Sequence, residues 1–227
     1  MERLSSGKRI NSAADDAAGV GLAARLEAQI RGTEMAMRGT GDGIALLKVA
    51  DNALTEVSNM VQRVYELAIQ VETAGIYSTT DEAAATAEIT ALHAEAAQII
   101  SGTKYNNTAI FGGTFTIVQD GYGTTLALGV PATFAVTGTT STAAMADLST
   151  IATNRGTLAA MHNRLEYKLN NLSVVSAQTS SALSRVEDTD YAVESAAVAK
   201  GQVLQQAGAA MLAQANASAQ YVLTLLQ

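Results

Sequence analysis

The sequence predicts a mainly α protein: an elongated, antiparallel, coiled-coil-like helical rod with a small β-hairpin or meander tip and a C-terminal helix. Three observations predict it. Leu47, Ala50, Leu54, Val57, Val61, Val64, Ala68 and Val71 follow one another in alternating steps of three and four, an a/d seam sustained over about three heptads. Ile151, Leu158, Leu165, Leu172 and Val186 lie seven or fourteen apart, with Thr179 in the gap and Leu169, Val175 and Leu183 broadening the stripe. Between the two seams, residues 111–142 turn to Gly, Thr and β-branched side chains, the composition of short strands and turns.

Taken in order, residues 1–12 read as a linker, and residues 13–113 and 140–187 as the two parts of a discontinuous helical rod domain. Residues 114–139 form the β tip, and residues 188–227 a C-terminal helix. Asp15 and Asp16 supply acid to the start of the first helix, where the macrodipole favours it. Gly39-Thr40-Gly41-Asp42-Gly43 predicts a bend or loosened turn, because each mid-helix glycine costs roughly 0.5–1 kcal/mol relative to alanine. Thr79-Thr80-Asp81-Glu82 has the form of a capping box, with Thr79 as the cap and Glu82 reaching back. Ile76 to Ser78 then reverse the chain, and the second helix ends near Ser101-Gly102.

In the tip, Phe115/Ile117, Leu126/Leu128/Val130 and Phe134/Val136 alternate, punctuated by Asp120-Gly121 and Pro131. That predicts a meander of about three strands, too small to fold alone and therefore resting on the helices. The N- and C-terminal parts of the chain must share one core.

The tail has a character of its own. Residues 201–227 contain no charged side chain, and Gln202, Gln205, Gln206, Gln214, Asn216 and Gln220 interrupt the apolar residues. A bilayer span needs roughly 20 predominantly apolar residues, so no membrane partner is expected. A solvated helix would carry Lys and Glu on its outer face. The remaining reading is a helix surrounded by protein, which points to assembly.

Composition excludes much chemistry. Without cysteine there are no disulfides, thiolates or Cys-ligated metals. A net charge of −7 argues against nucleic acid, which calls for a basic stripe. The opening Met1-Glu2-Arg3-Leu4-Ser5-Ser6-Gly7 is polar rather than charged-then-apolar, so export would take a route other than a signal peptide. His93 and His162 stand in helical patterns without a second ligand at metal spacing, and both read as satisfied surface histidines. Asp15-Asp16 and Glu187-Asp188-Thr189-Asp190 lack the length and glycine turn of a calcium loop. The glycines at 39, 41 and 43 follow no strand and precede no Lys-Ser/Thr pair. No catalytic, metal or cofactor residue is expected, and the chain does not read as an enzyme.

Longer strings carry a resemblance. Arg3-Leu4-Ser5-Ser6-Gly7-Lys8-Arg9-Ile10-Asn11-Ser12-Ala13-Ala14-Asp15-Asp16-Ala17-Ala18-Gly19, then Asp42-Gly43-Ile44 and Gln62-Arg63-Val64-Tyr65-Glu66-Leu67-Ala68-Ile69-Gln70, resemble the N-terminal signature of bacterial flagellins. Ser184-Arg185-Val186-Glu187-Asp188-Thr189-Asp190-Tyr191-Ala192, Leu204-Gln205-Gln206-Ala207-Gly208 and Met211-Leu212-Ala213-Gln214-Ala215-Asn216 resemble the C-terminal one. Relative to that family the string at Arg3 comes early, so the chain resembles a flagellin truncated at its N-terminus, with a minimal variable region. Gly39 and Gly41 stand where helix-favouring residues are usual, and Tyr65 where many members have a second Arg.

The resemblance implies a structural subunit of the extracellular flagellar filament, exported through the flagellar channel and polymerising with other flagellin subunits. An export chaperone would bind the C-terminal helix. Alternatives are a hook–filament junction protein of the same fold, or a surface module binding glycan at the tip through Tyr122 and Phe134. The vertebrate innate flagellin receptor would read Gln62, Arg63, Glu66, Leu67 and Ile69, with Glu95 on the second helix. Val203, Leu204, Met211, Leu212, Val222, Leu223 and Leu226 would form the assembly face of the last helix. Without its partner helix the chain is expected to stay monomeric in dilute solution.

Overall fold

The computed structural model describes residues 1–73, 76–131 and 135–225, with side chains described as far as residue 216. Its elements are α1 (Glu2–Ser6), α2 (Ala17–Glu72), α3 (Thr79–Gly102), β1 (Lys104–Tyr105), β2 (Thr108–Ala109), β3 (Thr114–Val118), β4 (Thr125–Gly129), α4 (Ser141–Glu187) and α5 (Tyr191–Leu225). The protein is mainly α with two small antiparallel strand pairs, as the seams and the Gly/Thr-rich middle predict. It divides into two compact units, residues 29–177 and residues 1–28 with 178–227.

In the larger unit both seams are the core. Leu54, Val57, Val61 and Val64 of α2 and Leu165 of α4 are wholly buried, and Leu47, Ile151 and Leu158 nearly so. Ala85, Ile89, Ala96 and Ile100 bring α3 into the same cluster. Two polar ties set the direction of α4 against α2. The Arg155 guanidinium donates through Nε to Asp51 Oδ1 at 2.8 Å and through Nη2 to Asp51 Oδ2 at 3.3 Å. The Ser141 backbone N–H and hydroxyl donate to the two oxygens of the Glu72 carboxylate at 2.8 and 2.6 Å. Early α4 thus meets late α2 and later α4 meets earlier α2, so the two run antiparallel. With α2 ending at Glu72 and α3 beginning at Thr79, the Arg63–Glu88 ion pair at 3.0 Å sets α3 antiparallel to α2 as well.

Three local expectations need correction. The cap of α3 is Ser78, not Thr79. Its side chain accepts from the Asp81 N–H while the Asp81 carboxylate accepts from the Ser78 N–H. Ser78 and Asp81 repeat the motif one residue earlier, and the helix gains a turn-residue cap with the same reciprocal bonds. At Gly39 to Gly43, α2 continues without interruption. There the Thr40 hydroxyl, fully buried, donates to the Ala36 carbonyl at 2.8 Å, and the core contacts on either side outweigh the glycine cost.

The third correction concerns the tip, which among the described residues is a two-stranded hairpin. Phe115 faces Leu128 and Ile117 faces Leu126 across β3 and β4, and all four pack on the helical core. Residues 135–139 form no strand although Val136 is buried; Phe134 lies outside the described residues. The other strand pair, β1–β2, turns through Asn106 and Asn107, both at positive φ. Asparagine tolerates the left-handed conformation that such a two-residue turn requires.

The smaller unit gathers the two chain ends. Arg9 donates through Nη2 to the Val186 carbonyl at 2.8 Å, and its N–H donates to the Glu187 carbonyl at 2.6 Å. Lys8 pairs with Glu187, and the Tyr191 hydroxyl donates to the Leu4 carbonyl at 3.1 Å. Ile10 is the buried anchor of this segment. Asp16 caps α2 by accepting from the Ala18 and Gly19 N–H groups at 3.1 and 2.9 Å, which gives the acid at this position its reason.

Candidate assembly and recognition surfaces

α5 begins where Asp190 accepts from the Ala192 and Val193 N–H groups at 2.9 and 3.3 Å, a cap that complements the dipole. Beyond Lys200 the helix loses charge altogether. Leu204 and Met211, one heptad apart, share a face, with Val203 and Leu212 flanking it. All four are exposed, at 61, 72, 63 and 68%. Val222, Leu223 and Leu226 lie outside the described side chains. A monomeric surface rarely keeps such an apolar face without a use for it. Burying what these four residues expose would supply roughly 1–2 kcal/mol each. No helix is long and apolar enough to cross a membrane among the described residues.

The second surface lies on late α2. Gln62, Arg63, Glu66 and Ile69 are exposed along one face, and Glu95 is exposed on α3. Leu67 is not on that surface. It is 3% exposed and belongs to the core, because its position falls beside the a/d seam at Val64 and Ala68. Tyr65 is half-buried and packs on the core. Arg63 is held on both sides, by Glu66 Oε2 at 3.2 Å and Glu88 Oε1 at 3.0 Å. Those carboxylates raise its already high pKa further, the Glu88 hydrogen bond first, so Arg63 presents a charge already compensated within the unit.

Titratable chemistry elsewhere is structural. No group of three or more His, Cys, Asp or Glu that could hold a metal occurs among the described residues. His93 is a correction to the sequence reading: it is half-buried, and its Nε2 is buried without a hydrogen-bond partner. Burial lowers its pKa, opposed by the negative charge of Asp147. His162 lies 3.8 Å from Glu166 one turn along α4. A groove of about 640 Å³ runs between α2 and α4 beside Leu47, Ala152 and Gly156. The Arg155–Asp51 pair occupies its polar side, which is a helix tie.

These features define a class: a helical structural protein whose last helix carries an exposed, apolar, uncharged face. The chain belongs to the bacterial flagellin family, a family of structural proteins. The family model of the bacterial flagellin N-terminal helical region matches residues 1–116, and that of the C-terminal helical region matches residues 141–226. The chain is 34% identical to the flagellin of Bacillus subtilis, covering 100% of this chain and 91% of that one. It is also 34% identical, with the same shares covered, to the flagellar filament 31.3 kDa core protein of Treponema maltophilum. Among solved structures, Bacillus cereus flagellin has a similar fold, with a TM-score of 0.51 at 24% identity over 71% of this chain and 94% of that one.

Proposed function

We propose that this chain is a structural subunit of the bacterial flagellar filament, joining other flagellin subunits outside the cell in a helical polymer that serves motility. The observation that carries this reading is α5, whose Val203, Leu204, Met211 and Leu212 have nothing over them in a single chain. A helical polymer needs heterologous contacts that do not close into a ring, and a helix without charge can be enclosed by other subunits without burying ions. The domain division is proposed as read from the sequence: linker, two-part rod, β tip and terminal helix. Export through the flagellar channel, with a chaperone covering the same face of α5 beforehand, fits an exposed apolar helix in an otherwise acidic protein.

The exposed Gln62, Arg63, Glu66 and Ile69, with Glu95, are proposed as the surface a vertebrate flagellin receptor would read, Leu67 acting only through the core. Arg63→Ala should then reduce receptor activation, and unchanged activation would remove Arg63 from that surface. For the filament reading, the chain is mixed with sheared filament seeds of a relative and sedimented. Incorporation into the pellet, proportional to seed ends, is the expected result. A folded chain that stays in the supernatant at every seed concentration would contradict it.

A further inference from the structure

We propose that a cationic cleft between the β3–β4 hairpin and α4 receives the acidic helix α3 of a second copy of this chain, through Glu95. The cleft, about 370 Å³, is lined by Gln119, Leu126, Arg164, Tyr167, Lys168 and Asn171. Arg164, Lys168 and Asn171 lie one helical turn apart in succession, so α4 offers them on one side.

Neither Arg164 nor Lys168 has an ion pair among the described residues. Two acids adjoin the cleft residues in sequence, and both have partners: Glu166 lies 3.8 Å from His162, and Asp120 serves the hairpin turn. Asp120 accepts from the Tyr122 and Thr124 N–H groups at 2.9 and 3.0 Å and from the Thr124 hydroxyl, so its lone pairs serve the hairpin turn. In a chain of net charge −7, the cleft carries two cations: Lys168, whose charge is partly met by the Asp120 carboxylate that it helps to keep ionised, and Arg164.

The hairpin that forms one wall of the cleft is seated on α2 at two glycines. A Cβ on Gly121 would lie 2.6 Å from the Gln29 carbonyl oxygen, and one on Gly32 would lie 2.6 Å from the Gly121 carbonyl oxygen. Only glycine at both positions lets the hairpin turn sit directly on α2. Farther along, a Cβ on Gly43 would lie 3.2 to 3.5 Å from Leu128 and Ile117 of the hairpin and Leu165 of α4. The cleft is present in the single chain.

The occupant follows from charge. α3 carries Asp81, Glu82, Glu88 and Glu95 and no Lys or Arg. Asp81 is used by the cap and Glu88 by Arg63, while Glu95 is exposed and without an ion pair among the described residues. A cationic cleft and an acidic helix on one subunit are two different, complementary patches. That is the arrangement a heterologous, propagating contact requires. The inference rests on the polymer reading, which the test separates from it.

Arg164→Glu with Lys168→Glu should lower seeded incorporation on the order of tenfold, as like charges then meet across the contact. Glu95→Lys alone should do the same, and the three substitutions together should restore incorporation. Circular dichroism checks that each variant folds. A zero-length carbodiimide cross-linker, applied to mixed isotope-labelled and unlabelled chains, should join Lys168 of one copy to Glu95 of another. Unchanged incorporation of the double variant, or a Lys168 cross-link found only within one copy, overturns the proposal. If the unsubstituted chain fails to enter seeds, the polymer reading fails instead, and the cross-link in concentrated solution still decides the contact.

Discussion

α4 and α5 are built from similar apolar residues, yet Leu158 and Leu165 of α4 are closed off from water while Leu204 and Met211 of α5 are mostly exposed. The difference is in what lies opposite. α4 faces α2 with a matching heptad seam and is tied to it by Arg155–Asp51 and Ser141–Glu72, so its stripe is satisfied within the chain. From Gly201 to Asn216, α5 is exposed throughout. One stripe is covered within the fold, and the other is exposed to solvent.

The largest expected effect separates the two directly. Leu165→Ala should cost about 2–5 kcal/mol of folding stability through lost burial and the cavity left behind, read as a lower urea midpoint. Leu204→Ala together with Met211→Ala should leave that midpoint within about 0.5 kcal/mol, as exposed positions do, while reducing seeded incorporation. A large loss of stability in the α5 variant would break the comparison, since it would mean the face is already covered within the chain. A smaller effect sharpens the account of α3: Ser78→Ala removes its cap and should cost about 1 kcal/mol, whereas Thr79→Ala should leave that cap intact.

The seams were legible because burial follows the heptad spacing residue by residue, from Leu47 to Ala68 and from Ile151 to Leu172. The cap was legible in kind and displaced by one, since Ser78–Asp81 and Thr79–Glu82 both satisfy the pattern and only the backbone decides between them. β1–β2 escaped notice because each strand is two residues long; Asn106-Asn107 was the signal available. The glycines at 39 and 41 suggested a bend or loosened turn, yet the helix runs unbroken through them. The family resemblance groups Gln62, Arg63, Glu66, Leu67 and Ile69 as one surface; four of them are exposed, and Leu67 lies in the core. The cleft at Arg164 and Lys168 was beyond sequence reading, because it exists only once the hairpin turn is seated on α2.

Falling pH should act on the larger unit at His93 and at its carboxylate ties. Hydrogen bonds from Ser141 lower the pKa of Glu72, those from Ser78 lower that of Asp81, and those from Thr124 and Tyr122 lower that of Asp120. A carboxylate with a depressed folded pKa contributes stability above its unfolded value and loses it as pH falls through the folded one. Burial depresses His93 in the same sense: the unfolded state takes up its proton first, so stability declines as pH drops below about 6.5. Thermal unfolding should therefore move down in two stages, the earlier one abolished by His93→Gln. Arg63→Ala should be the mildest change, because an exposed ion pair contributes little to stability. Its thermal transition should coincide with that of the unsubstituted chain.

The most direct test is amide hydrogen exchange of residues 201–216, measured in the free chain and in seeded filaments. The account predicts fast exchange when free, as for a helix whose apolar face lacks a partner, and slowing of at least about a hundredfold in the filament, an opening cost of roughly 2.7 kcal/mol. Equal protection of this segment in both states would contradict the claim that α5 completes its core with other protein.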